Sequence, residues 1–80
     1  MLEMRPNCEC CNRDLSPSHD AAFICSFECT WCPGCVDGFA DRLCPNCGGD
    51  LTLRPTRSPA KLLGSPASSE RVLAKDCVSA

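Results

Sequence analysis

Apolar residues come in short bursts along this chain, and few bursts are long enough to define an element. Ala22-Phe23-Ile24-Cys25 predicts a short strand, Ser26-Phe27-Glu28 a turn, and Cys29-Thr30-Trp31-Cys32 a second strand, together a β-hairpin. Val36, Phe39, Ala40 and Leu43 recur at i, i+3, i+4 and i+7, which predicts one short helix over 36–43. Pro33 suits the first turn of that helix, whereas Gly38 weakens its middle. Leu51 and Leu53 predict a last strand. Beyond Leu53 the pattern dissolves into Arg54-Pro55-Thr56-Arg57-Ser58-Pro59 and then Gly64-Ser65-Pro66. A Pro/Ser/Ala-rich stretch of this kind has too little to bury and is expected to be disordered, with at most a frayed helix over 68–78. The expected organisation is a folded region, 1–53, and a tail, 54–80.

The folded region is short of core. Of 80 residues, 44% are hydrophobic, but ten of them are cysteine. Residues 1–53 hold nine cysteines and only sixteen other apolar side chains, including the aromatics Phe23, Phe27, Trp31 and Phe39. A chain this small folds only when something other than hydrophobic burial fastens it, either disulfides or metal. The composition excludes a large-pocket enzyme. No stretch approaches the ~20 apolar residues of a membrane helix. The opening Met1-Leu2-Glu3-Met4-Arg5-Pro6 has no apolar core of a signal peptide, so no export and hence no disulfide framework is expected.

The cysteines themselves favour metal. Eight fall into four close pairs, Cys8/Cys11, Cys25/Cys29, Cys32/Cys35 and Cys44/Cys47. Two or three intervening residues let both sulfurs face one ion about 2.3 Å away. Structural disulfides more usually close longer loops. Four thiolates around Zn²⁺ give a closed tetrahedral site with no redox chemistry of its own and a formal charge of −2, which calls for backbone N–H groups aimed at the sulfurs. Cys44-Pro45-Asn46-Cys47-Gly48-Gly49 suits that task, because Pro45 shapes a turn and Gly48 takes positive φ without penalty. Asn12, directly after Cys11, tolerates the same left-handed geometry. These two pairs read as metal knuckles, and Cys32/Cys35 as the opening of a helix. Iron is the other metal that such sites accept.

The order of the eight cysteines, Trp31 directly before the fifth, a helix after the sixth and Pro45 after the seventh resemble the RING finger over residues 8–48. That resemblance implies a metal-stabilised α+β cross-brace with a hairpin, one helix and two knuckles. It assigns Cys8, Cys11, Cys32 and Cys35 to one zinc and Cys25, Cys29, Cys44 and Cys47 to a second, with Cys29 standing where a RING finger commonly has histidine. Two sequential sites, 8/11/25/29 and 32/35/44/47, are the alternative grouping. More narrowly, Met1-Leu2-Glu3-Met4-Arg5-Pro6-Asn7-Cys8-Glu9-Cys10-Cys11, Ile24-Cys25-Ser26-Phe27-Glu28-Cys29 and Cys44-Pro45-Asn46-Cys47-Gly48-Gly49 are similar to a bacterial family of short multi-cysteine proteins catalogued as a domain of unknown function. The match spans roughly 1–57 and implies a bacterial, cytoplasmic protein.

Sharper functions compete with plainer ones. A RING ligase would receive its conjugating enzyme on the positions matched here by Cys10, Phe39 and Pro45; shared fold does not carry that function. Trp31-Cys32-Pro33-Gly34-Cys35 resembles a thioredoxin active-site string with its central pair reversed, but the chain is too short for the βαβ scaffold that chemistry needs. Nucleic acid is disfavoured by charge. Residues 1–53 set Arg5, Arg13 and Arg42 against eight carboxylates, a net −5, while the tail is +3. Eight bound thiolates and two divalent cations take the −5 to −9, the wrong sign for phosphate. His19 lies six residues before Cys25, outside ligand spacing. Cys10 reads as a buried thiol or a substitute for Cys11, and Cys77 as a spare thiol with no evident partner. The reading is a zinc-binding structural or protein-interaction module with two four-cysteine sites and no catalytic activity. A thiol redox switch or metal store is the alternative.

Overall fold

A computed structural model describes residues 1–74 and Cys77. Three two-residue strands form an antiparallel sheet, β1 (Phe23–Ile24), β2 (Thr30–Trp31) and β3 (Thr52–Leu53), in the order β2-β1-β3. Phe23 pairs with Trp31 on one side and Leu53 on the other; Ile24 pairs with Thr30 and Thr52. All three strands fall where the apolar pattern places them. The hairpin turn is tight because Glu28 takes φ 63° and donates its N–H to the Cys25 carbonyl at 3.0 Å.

The helix departs from expectation. α1 (Pro33–Asp37) opens at Pro33 as expected but stops at Asp37, rather than running on to Leu43. Gly38 closes it, its N–H reaching the Cys35 and Val36 carbonyls. Phe39 is extended, and a 3-10 turn at Ala40–Arg42 follows with Asp41 and Arg42 at φ 55° and 54°. The break lets Phe39 lie edge-on to Trp31, ring centroids 5.1 Å apart at 88°, while Cys44 is carried back towards the sheet. Periodicity alone missed this because a Gly in mid-pattern and a ring-on-ring contact outweigh a weak helical stripe.

Trp31 is fully buried in a cluster with Val36, Leu15, Ala22 and six cysteines, and Met4 and Ile24 are buried as well. Of the aromatics available for a partner, Trp31 is therefore spent in the core and Phe39 half-buried against it, whereas Phe27 is 72% exposed. Four polar residues, Asn7, Glu9, Thr30 and Arg54, are buried as well. Burial pulls the Arg54 guanidinium below its ordinary value, against the opposing charges of Asp20 and Glu28. It is held by Nη1 donating to the Arg5 carbonyl at 2.9 Å.

The segment after Leu53, expected without structure, carries one turn of helix, α2 (Pro59–Leu62), with Ser58 Oγ accepting from the Lys61 N–H. It then runs back along the N-terminal residues. Arg57 Nη2 donates to the Leu2 carbonyl at 2.7 Å, Ser68 N–H to the Glu3 carbonyl at 2.9 Å, and Ala74 N–H to the Glu9 carbonyl at 2.8 Å. No helix forms over 68–74; the rest of the expected helix, Cys77 apart, lies outside the described residues. Arginine donors supply what the poor hydrophobic content does not. Among the described residues, no helix is long and apolar enough to cross a membrane.

Trp31→Ala removes the largest buried side chain and is expected to cost ~3–5 kcal/mol, a large share of the ~5–15 kcal/mol typical of a domain. Denaturant unfolding followed by circular dichroism should show the cooperative transition shifted to much lower denaturant or lost.

Candidate metal centre

Two knuckles repeat the same backbone. In the first, Cys8 N–H donates to the Arg13 carbonyl and Asn12 N–H to the Cys8 carbonyl, both at 2.9 Å. In the second, Cys44 N–H donates to the Gly49 carbonyl at 2.9 Å and Gly48 N–H to the Cys44 carbonyl at 2.7 Å. Isolated bridges close each one, Asn7 with Asp14 and Leu43 with Asp50. The turn requires a left-handed residue after the second cysteine, and Asn12 (φ 64°) and Gly48 (φ 77°) occupy that place, as their residue types predict.

The knuckles draw in cysteines from the sheet and helix. Cys8 and Cys11 meet Cys32 and Cys35, which follow β2 and lie at the start of α1; all four sulfurs are within 4.8 Å of one another. Cys44 and Cys47 meet Cys25, at the end of β1, within the same limit. Sulfur atoms thus group from alternate pairs, and the sequential grouping is not assembled. Cys29 is buried beside the second cluster without joining it. His19 stays in its loop, its Nδ1 3.1 Å from Ser16 Oγ.

The donor set fits a tetrahedral cation. Four sulfurs about 2.3 Å from one ion stand about 3.8 Å apart, and Cys11 and Cys32 Sγ are separated by 3.7 Å. Backbone N–H groups face the sulfurs at a repeated offset: Phe27 N–H donates to Cys25 Sγ at 3.3 Å, Arg13 N–H acts on Cys11, and Gly49 N–H on Cys47. Burial pushes the Cys8 thiol up, but the N–H groups of Cys11, Cys32 and Cys10 outweigh it and leave the thiol below its ordinary value. Cys25 follows the same course through Phe27 and Cys29. Burial and then the neighbouring thiols push Cys35 well up, and burial with Cys25 and Cys44 nearby takes Cys29 to about 12 against the opposing Asn46 amide. The first cluster therefore sets Cys8, inclined to ionise, beside Cys11 and Cys35, which resist it, and the second sets Cys25 beside Cys47 in the same way, a mismatch that a shared cation would reverse.

Two buried side chains that carry this arrangement have no sequence signal. Glu9, between the cysteines of the first knuckle, accepts from Thr30 N–H at 2.7 Å, Arg5 Nη1 at 3.0 Å and Asn46 Nδ2 at 3.5 Å. It ties both knuckles to β2, yet a lone acidic residue in a turn reads as solvated. Asn7 donates to the Asn12 side chain at 3.1 Å and so steadies the left-handed turn. The largest correction concerns the leftover thiols. Cys10 and Cys77 are joined in a disulfide across 67 residues of sequence, Cα atoms 5.1 Å apart. The run of contacts along the tail brings Cys77 to the knuckle, so neither is a spare thiol or substitute ligand.

A family model described as a protein of unknown function (DUF1272) matches residues 1–57. The chain belongs to the DUF1272 family. This DUF1272 protein is also 55% identical over 73 residues to an uncharacterized protein of Rhizobium meliloti (strain 1021), covering 91% of this chain and 87% of that relative. The bacterial family of unknown function indicated by the cysteine motifs is thereby shown. No solved structure matches it.

Glu9→Ala leaves the buried Thr30 N–H without its acceptor, which costs about 1–3 kcal/mol. Thermal unfolding of the metal-loaded protein should fall accordingly, while elemental analysis still finds the wild-type metal content.

Proposed function

We propose that this DUF1272 protein is a zinc-binding structural or protein-interaction module with a RING-like cross-brace. Cys8, Cys11, Cys32 and Cys35 would hold one ion, and Cys25, Cys29, Cys44 and Cys47 the other. The gathering of four sulfurs from alternate pairs within 4.8 Å carries this reading. Cys29 is assigned to the second set because it is buried beside Cys25 and Cys44. Zinc is preferred to iron as a structural ion of closed four-thiolate sites. Bound in this way, it supplies cross-links and no open position for chemistry. Phe27, exposed on the turn between Cys25 and Cys29, offers an apolar contact for a protein partner. No enzyme activity is proposed, and the compartment proposed is the cytoplasm.

The ligase reading has less support, since its three matching positions include Cys10, tied to Cys77, and Phe39, packed on Trp31. The acidic charge of residues 1–53 argues against nucleic acid. The second reading, a thiol switch or metal store, draws on the exposure of Cys11 and Cys47, which leaves one sulfur of each cluster open to solvent.

Native mass spectrometry with elemental analysis of freshly isolated protein should give two zinc ions per chain, and chelation should abolish cooperative unfolding. A chain that is metal-free and still folded would overturn the proposal. Cys32→Ser should lower the content by one ion, and Cys29→Ser should weaken the other. Retention should be lost as pH falls, because each thiolate released from the metal takes up a proton. A pH titration with a zinc-sensitive dye reads this directly.

A further inference from the structure

We propose that Cys10 and Cys77 form a redox latch that fastens the C-terminal segment across the first knuckle and slows metal loss from that site alone. Cys10 lies between two sulfurs of the first cluster without belonging to it. Among the described residues, the hydrogen bonds of the segment from Ser68 to Cys77 to the rest of the chain go to residues around that knuckle. Asn7 Nδ2 donates to the Val72 carbonyl at 3.0 Å, Arg71 Nη2 to the Asn12 carbonyl and Oδ1 at 2.9 Å, and Arg71 Nη1 pairs with Asp14 at 2.8 Å. With the Leu2, Glu3 and Glu9 carbonyls, these partners bracket Cys8 and Cys11 on both sides. Among the described residues, no hydrogen bond from the segment after Arg57 reaches the second knuckle, 44–50.

Asn7 and Asn12 are the residues that set the knuckle's turn, so the strap grips the backbone that must swing out before Cys8 and Cys11 let go. Fastened by weak hydrogen bonds alone, the strap opens often; joined covalently, it re-engages as an intramolecular partner at high effective concentration. Closing needs an oxidant, and a low-molecular-weight disulfide supplies it. The thiolate of Cys10 or Cys77 attacks that disulfide and expels one small thiol. The other cysteine's thiolate then attacks the mixed disulfide and expels the second. The two protein thiols lose two electrons and two protons, and the small disulfide is reduced to two thiols. In a compartment kept reducing the latch stands open, and oxidative conditions close it.

The inference rests on the metal reading, and the experiment separates the two. Full-length, zinc-loaded protein is equilibrated in reduced or oxidised glutathione. Peptide mapping follows the link, a chromogenic chelator the zinc, and trypsin the cleavage after Arg57, Lys61 and Arg71. Oxidation should yield the Cys10–Cys77 link with both ions retained. Transfer of one of the two ions should slow by about tenfold or more, within what tethering can supply, and tryptic cleavage of the segment should slow with it. Cys77→Ser, outside both clusters, should keep two ions and the fast rates in either buffer. Oxidation that links Cys8, Cys11, Cys32 or Cys35 and ejects zinc overturns the latch, as do two-ion proteins whose rates ignore the redox buffer. A metal-free chain that forms the link and resists trypsin overturns the metal reading and leaves the strap standing.

Discussion

Sulfur packed against sulfur is the constraint on which this chain depends. Thiols brought this close burden one another: burial and neighbouring sulfur raise Cys35 and Cys29, and the ionised state that each would need for bonding becomes harder to reach. Without a cation, the clusters contribute only modest apolar burial. With one, every crowded sulfur becomes a strong bond across the chain. The same geometry is thus a weak core or a rigid brace according to a single partner, and the small core around Trp31 serves to present the sulfurs.

That arrangement is achieved with little regular structure. Two-residue strands and a five-residue helix would be marginal alone. They act as spacers. β2 stands between Cys25 and Cys32, so the chain delivers Cys25 to one cluster before the strand and Cys32 and Cys35 to the other after it. The hairpin register then decides which pairs can meet. Glu9 gives the two ends a shared anchor, receiving the Thr30 N–H of that same strand and the Asn46 amide of the far knuckle. A buried carboxylate is costly unless fully partnered, and here its partners come from the elements whose mutual placement matters.

Much of this was legible because local chemistry dictates it. Short strand-forming runs marked Phe23, Ile24, Thr30 and Trp31, and the need for a left-handed residue marked Asn12 and Gly48 before any long-range contact is considered. The extent of α1 was not legible, because the apolar stripe from Val36 to Leu43 competes with Gly38 and with a ring contact to Trp31 that no local window contains. The tail was the hardest to read. Its composition is that of a disordered segment, and its anchors are arginines donating to backbone carbonyls, which leave no trace in hydropathy. Cys77 followed from those anchors: a thiol at the end of a free chain has no partner, and one at the end of a fastened strap does.

Charge alone would also predict attraction between the +3 tail and the −5 region before it, but the contacts show a different division of labour. Arg54 and Arg57 spend their guanidinium groups on the Arg5, Leu2 and Ser65 carbonyls and pair with no carboxylate among the described residues. Neutral acceptors in fixed directions specify where the strap runs, whereas the Arg71–Asp14 pair, largely in solvent, is the part that salt screens. General attraction therefore brings the segment near, and oriented carbonyls choose its path. The path leads over one knuckle and ends at the single cysteine there that no cluster claims. A strap held in register by geometry rather than by net charge is what allows two thiols so far apart in sequence to find each other instead of the eight that surround them.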